Sequence, residues 1–313
     1  MIVFDETPDL ETHLASPLWR RIIPVTGACG GSGKTTVAAA LAVALAGQGL
    51  RVHAVDLCGA EAALHLALGE PLHRPGLGAA LRGAASWEAA SHPTRFPGLS
   101  LIPADRLEES PSLAPPAARQ KLTELLTTLP ADAVVLDLGS GTTALAREIL
   151  LASPHPLVVG LASAADAAAT HAILRGALLG LMARYFPQDI APAEGQGALP
   201  TLAALIEKYK AADSRRTFRF LAALERYTPQ LLLNRLGDLS ELEWLRRLGE
   251  HLAERSLIHA VPAGGLPACQ DFATDRRVPP VLDRLAKSYL VKLGSRQQRP
   301  RPLAPRTAVK IPA

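Results

Sequence analysis

Residues 25–36 read VTGACGGSGKTT, directly after an apolar run at 21–26 and directly before an alanine-rich stretch at 34–46. Strand, glycine turn and helix in that order bring backbone N–H groups and a helix amino terminus to bear on one anion. Gly30, Gly31 and Gly33 let the chain curl with its N–H groups inward, Lys34 can reach terminal phosphate oxygens, and Thr35 can hold Mg2+. Ser32 and Thr36 complete the candidate contacts. Glycines alone would be a weak signal. Here glycines, Lys-Thr, strand and helix coincide, so this stretch predicts nucleotide phosphate binding.

Working outward, apolar runs at 51–56, 99–103, 133–138, 157–161, 230–236 and 257–262 alternate with helical patterns at 34–46, 116–127, 143–151, 165–184, 239–254 and 281–293. The runs are apolar through their middles, as strands buried on both faces require. The fold class expected is therefore α/β, a mostly parallel doubly wound sheet flanked by helices. One domain over residues 21–293 is expected, with an acidic leader at 1–20 and a basic, proline-rich, disordered tail at 294–313. The rhythm breaks at about 185–228, where PQDIAPAEGQGALP precedes two polar helical stretches; such an insertion more often forms a lid or partner surface than core. The last helix sets Val281, Leu282, Leu285, Ala286, Tyr289, Leu290 and Leu293 on one face, a pattern that suits either packing on the sheet or lying on a membrane.

The chain has 313 residues, 48% of them hydrophobic, enough to bury a large core. No apolar run approaches the roughly 18 residues of a membrane span, and the acidic leader lacks the features of an export signal. With three cysteines and no C-x-x-C pair, neither a disulfide framework nor a zinc or iron-sulfur site is indicated, and Cys269 has no evident partner. The expectation is a cytoplasmic protein, peripheral to a membrane or polar at most. The formal charge of +4 resides in the tail, whose Arg296, Arg299, Arg301, Arg306 and Lys310 leave the remainder at −1. A neutral body disfavours nucleic acid as a partner, while the tail could touch lipid headgroups or an acidic surface.

Together with CGGSGKTT at 29–36, VDLCGAEAALHLALG at 55–69, FPGLSLIPA at 96–104, AVVLDLGSGTT at 133–143 and LLLNRLG at 231–237, the chain resembles the MinD/ParA family of deviant Walker A ATPases. The family tolerates a non-glycine residue such as Ala28 within the loop. The DLGSGTT run and the long insertion look most like the FlhG/FleN branch, which sets flagellar number. The resemblance implies ATP and Mg2+ as ligands. It assigns Asp56 to the Mg2+ shell, Asp137 to the Walker B carboxylate, and Gly139 and Gly141 to the turn that senses the terminal phosphate. Asn234 matches the adenine-reading asparagine, with Val261 and Pro262 flanking the base. Lys34, Asp56 and Asp137 are then the candidate catalytic residues, and Thr35, Asp56 and Asp137 the candidate metal ligands.

Two positions depart from the family pattern. The signature lysine that reaches across a nucleotide-sandwich homodimer is replaced by Cys29, and the second switch I aspartate, which helps to orient the attacking water, by Cys58. The dimer is accordingly weakened and hydrolysis slow. A redox pair of Cys29 and Cys58 is a further alternative. The resemblance thus implies an ATP-binding spatial or numerical regulator that engages a protein partner of a polar or membrane-associated machine. A hydrolysis-deficient scaffold, a ParA-like DNA partition protein and a cellulose-synthesis relative stand as alternatives.

Overall fold

Strands that are apolar throughout have to be covered on both faces, and the computed structural model covers them so. It describes residues 17–27, 29–59, 62–105, 116–140, 144–186, 202–268 and 278–293. The strands are β1 (Ile22–Thr26), β2 (Val52–Asp56), β3 (His92–Pro93), β4 (Leu99–Ile102), β5 (Ala133–Asp137), β6 (Leu157–Gly160), β7 (Gln230–Leu236) and β8 (Val261–Pro267). They form one sheet in the order β3-β4-β2-β5-β1-β6-β7-β8. Every pairing is parallel except β3 with β4. Central strands β1, β2, β5 and β6 are buried at every position, the reason they read as unbroken apolar runs.

The helices are α1 (Pro17–Arg20), α2 (Lys34–Gly47), α3 (Leu64–Ala67), α4 (Leu77–Leu81), α5 (Trp87–Ala90), α6 (Pro116–Thr128), α7 (Ala144–Ala152), α8 (Ala164–Tyr185), α9 (Leu202–Ala212), α10 (Ser214–Arg226), α11 (Glu241–Ser256) and α12 (Val278–Lys292). On one face Val37, Leu41 and Leu45 of α2, with Leu282, Leu285 and Tyr289 of α12, pack on Ile23, Val25, Ala54 and Val135. Strand residues of the other parity, Ile22, Val55, Val134 and Leu136, meet Leu77, Leu125 and Leu150 of α4, α6 and α7. That second layer continues with Leu174, Phe220 and Leu245 of α8, α10 and α11 against Val158, Leu231 and Leu233. The α/β doubly wound expectation is met.

Three expectations change. First, the strand expected at 257–262 is β8 at Val261–Pro267. Helix α11 continues to Ser256, and Leu257 caps it in the left-handed region at φ 52 while Ile258 turns into the core. Edge position explains why β8 tolerates its proline and glycines, including a register shift between Leu231 and Leu232 of its partner. Second, one face of the described part of the insertion joins the core, while Phe218 and Leu221 of α10 stay exposed. Phe220, Ala223 and Leu224 of α10 are buried, and Phe186 meets Tyr209 of α9 at a tilt and Phe220 of α10 edge to face, with ring centroids 4.5 and 5.2 Å apart. Third, the apolar face of α12 is used by the sheet: Leu282, Leu285, Ala286 and Tyr289 are buried, and the Tyr289 hydroxyl donates to the His155 carbonyl at 3.1 Å. That occupied face removes the membrane-lying reading of the last helix. No described helix is long and apolar enough to cross a membrane. The leader through residue 16, the tail from 294, Cys269, Ala28, Gly141 and the segment 187–201 lie outside the described residues.

Candidate functional site

The glycine loop follows β1 at the centre of the sheet, between β5 and β6. Its entry is held by Thr26, whose hydroxyl donates to the Gly139 carbonyl at 3.0 Å. Gly27 passes so close to β6 that a Cβ there would lie 2.0 Å from the Val159 carbonyl oxygen. Gly33 ends the loop at φ 84, where a Cβ would lie 2.2 Å from Asn234 Nδ2. By contrast, a Cβ on Gly30 or Gly31 would meet nothing within 4 Å, so that side of the loop is open. Because Gly33 is the N-cap of α2 and offers no side-chain hydrogen bond, the first N–H groups of the helix have no cap and face this loop. Lys34 is buried and bridges the loop, its Nζ donating to the Cys29 carbonyl at 2.6 Å and to Ser32 Oγ at 3.4 Å. Thr35 and Thr36 are half-buried in the first turn.

Two carboxylates stand beside the loop. Asp56 and Asp137 end β2 and β5, pair with each other in register, and are fully buried. Asp56 accepts from the N–H of Cys58 at 2.9 Å through Oδ1 and from that of Leu64 at 3.1 Å through Oδ2. Burial, and then the Asp137 charge, push its pKa up, while the N–H bonds pull it down. Asp137 Oδ1 accepts from the Gly139 N–H at 3.1 Å, but Oδ2 is buried with no hydrogen-bond partner. An orphaned buried carboxylate oxygen costs about 1–3 kcal/mol or more, and a cation at that point would satisfy it. The donor set therefore fits a divalent cation. Cys58, which the sequence offered as a lost aspartate or half of a redox pair, completes a triad: single ligand atoms of Asp56, Cys58 and Asp137 lie within 4.8 Å of one another.

The two cysteines among the described residues are free and have different surroundings. Cys58 Sγ donates to the Asp137 carbonyl at 3.8 Å, and burial first, then the two aspartate charges, drive its pKa far up. The neighbouring Asp166 is the chief reason that the pKa of Cys29 also rises. Reactive thiols need the opposite shift, so these surroundings do not favour a thiolate at either cysteine. Asp166 itself was not anticipated. It is buried in the first turn of α8, its N–H donating to Ser163 Oγ at 3.1 Å, and its Oδ1 has no partner. The S-x-x-D spacing after the β6 run was the available signal.

Asn234 reaches the loop from β7, donating from Nδ2 to the Ser32 carbonyl at 2.9 Å. Val261 and Pro262 do not join it. They pair with Gln230 and Leu231 at the start of β7, about 10–13 Å short of Asn234 at the ordinary rise of a strand. The base-flanking expectation for them arose from placing β8 too early and is corrected; Leu266 and Pro267 are the β8 residues at the Asn234 end.

Among known proteins, the family model described as cellulose biosynthesis protein BcsQ matches residues 20–184. No curated protein matches the chain. Solved structures share the fold. The septum site-determining protein MinD of Pyrococcus horikoshii, complexed with Mg-ADP, is 19% identical with a TM-score of 0.58, over 86% of this chain and 95% of that one. A chain of the MinC:MinD cell division protein complex of Aquifex aeolicus is 16% identical at 0.55, covering 86% and 95%. A ParA family ATPase from Chlorobium tepidum is 16% identical at 0.54, covering 88% and 98%. The match over more than half of its length, on a sheet of MinD/ParA type, places the chain in the cellulose biosynthesis protein BcsQ family of P-loop proteins.

Proposed function

We propose that this chain is an ATP-binding switch acting in cellulose biosynthesis, with slow hydrolysis. The observation that carries the nucleotide reading is the uncapped amino terminus of α2, with the open Gly30–Gly31 side, set beside the buried Asp56–Asp137 pair at one end of the sheet. Backbone N–H groups of residues 30–35 and the Lys34 ammonium bind the phosphates, and Asn234 holds the loop in shape. Thr35, Asp56 and Asp137 would hold Mg2+, which supplies countercharge to the phosphate oxygens. The loop after Asp56 and the turn after Asp137 share the terminal-phosphate side through the Leu57 N–H to Asp137 carbonyl bond of 2.9 Å. A change there alters the surface offered to a protein partner. With a neutral thiol at residue 58, the attacking water loses a carboxylate acceptor, and with Cys29 a nucleotide-dependent dimer loses a cross-interface charge.

The family match supports cellulose biosynthesis over the flagellar-number role that the resemblance implied. Calorimetry with Mg-ATP and a non-hydrolysable analogue tests the ligand: wild type binds, Lys34→Ala does not, and equal binding by both refutes the assignment. Deletion of the gene in its host tests the process. Loss of cellulose, measured by dye binding and restored by wild type but not by Lys34→Ala, is expected. Unchanged cellulose with altered flagellar number would overturn it.

A further inference from the structure

We propose that Asp56, Cys58 and Asp137 form a mixed carboxylate–thiolate site for a thiophilic divalent cation of the zinc, cobalt or cadmium class. The three ligand atoms lie within 4.8 Å of one another at the ends of β2 and β5. Ordinary bond lengths of about 2.0 Å to oxygen and 2.3 Å to sulfur bring tetrahedral ligand atoms to roughly 3.3–3.5 Å, so the side chains close on the cation by up to about 1.5 Å, and three protein ligands leave a fourth position open for water or a phosphate oxygen. The independent sign of a ligand is Asp137 Oδ2, buried without a donor while its sister oxygen is held by the Gly139 N–H. Both Asp56 oxygens are fixed by the N–H groups of Cys58 and Leu64, which orients the carboxylate and still leaves lone pairs free. Cys58 Sγ lies beside the same strand end, 3.8 Å from the Asp137 carbonyl oxygen. Lys34 does not neutralise the cluster by hydrogen bonding to it, since its ammonium is directed to the Cys29 carbonyl and Ser32.

Sulfur decides the class of cation. Mg2+ is hard, prefers six oxygens in octahedral array and gives up water reluctantly, whereas thiolate selects softer ions. On binding, the Cys58 thiol proton passes to solvent as the metal–sulfur bond forms. The inference shares two carboxylates with the nucleotide reading but does not need nucleotide.

The test titrates Cd2+, and separately Co2+, into the full chain without nucleotide, following the thiolate-to-metal charge-transfer absorbance. A saturable band is expected in wild type and in the Cys29→Ser/Cys269→Ser double variant, where Cys58 is the remaining thiol. Cys58→Ser and Cys58→Asp should lose the band, and Cys58→Ser should bind the cation at least about tenfold more weakly. Cys58→Asp keeps an acidic ligand and so guards against a folding defect in Cys58→Ser. Excess Mg2+ should displace little Cd2+. No band in wild type, or a band that survives Cys58→Asp, overturns the proposal. ATP binding measured on the same sample separates the two readings: a band without ATP binding fails only the nucleotide assignment, and ATP binding without a band fails only this one.

Discussion

Asn234→Ala should weaken nucleotide binding whatever the base. The Asn234 side chain is buried, and its Nδ2 donates to the Ser32 carbonyl at 2.9 Å while lying against Gly33. Truncation leaves that carbonyl without its donor and opens a void beside a glycine at φ 84. An unmade buried hydrogen bond costs about 1–3 kcal/mol. Part of that loss appears as lower stability and part as disorder in the loop, which must then be reordered each time a phosphate binds. About 1–2 kcal/mol in binding corresponds to a loss of roughly 5–30-fold. ATP and GTP should lose affinity in the same proportion, because the amide hydrogen bond is to the loop. Asn234→Asp should fare worse than alanine, since a carboxylate would face a carbonyl oxygen and the incoming phosphates. Calorimetry with both nucleotides, paired with thermal unfolding, provides the measurement. If ATP affinity falls while GTP affinity is unchanged and the melting temperature stays put, the amide reads the base and the loop-holding argument is wrong.

Gly33→Ala should destabilise the protein by about 1–3 kcal/mol, since it combines a left-handed φ with a Cβ 2.2 Å from Asn234 Nδ2. In a double-mutant cycle Asn234→Ala should relieve part of that cost, and strict additivity would refute the clash. Phe220→Ala should cost about 3–5 kcal/mol in denaturant unfolding, as the ring is fully buried between Phe186 and Tyr185. Acid should weaken the fold well above the carboxylate range. Burial first, and then the Arg21 and Arg51 charges, lower His53 from 6.5 to about 4, and burial followed by Lys292 lowers His155 likewise. Between about pH 6.5 and 4 the unfolded chain therefore binds more protons than the folded one, so stability is full above 6.5 and declines as pH falls toward 4. A urea midpoint that is flat between pH 7 and 5, in wild type and His53→Gln alike, would contradict this. Cys58→Asp should raise steady-state ATP hydrolysis by one or more orders of magnitude, by analogy with the roughly 10²–10³ that a charge-stabilising donor is worth. An unchanged rate would mean that another group positions the water.

What was legible in the sequence was whatever a residue's own neighbours determine. The middles of β1, β2, β5 and β6 are buried on both faces, so their apolar runs carried the signal unaided. Asp56 and Asp137 stood out because each ends such a run, where the sheet must open to a ligand. Strand β8 was misplaced because LIHAVP has the better strand composition, whereas VPAGGLP gains its pairing only from the edge of β7. Two-residue β3 has no periodicity to read. Contacts between distant residues were out of reach altogether. The partner of Asn234 lies 202 residues away, and Asp166 looks like an ordinary acidic residue in a helix's first turn until β6 is known to lie beside β1. Fold and loop could be read locally, while the roles of Asn234, Asp166 and Cys58 depend on strand order.

Strand order also sets the electrostatics of the loop. With β5 on one side of β1 and β6 on the other, the loop has Asp137 and Asp56 to one side and Asp166 to the other, each fully or almost fully buried. The cation within it, Lys34, is bonded to the loop's own Cys29 carbonyl and Ser32. A polyphosphate entering such a site meets the N–H groups of α2 but also three carboxyl groups at low effective dielectric, where like charges repel far more strongly than in water. Helix N–H groups contribute about half an elementary charge in total and Lys34 one more, still short of the charge that a polyphosphate and such an array bring together. An anion and a divalent cation must therefore enter together or in sequence. The orphaned oxygens of Asp137 and Asp166 then stand on opposite sides of the loop, the first within the Asp56–Cys58–Asp137 cluster. The same physics makes the residue at position 58 matter, because its sulfur lies within 4.8 Å of an oxygen of each of the two carboxylates at the strand ends.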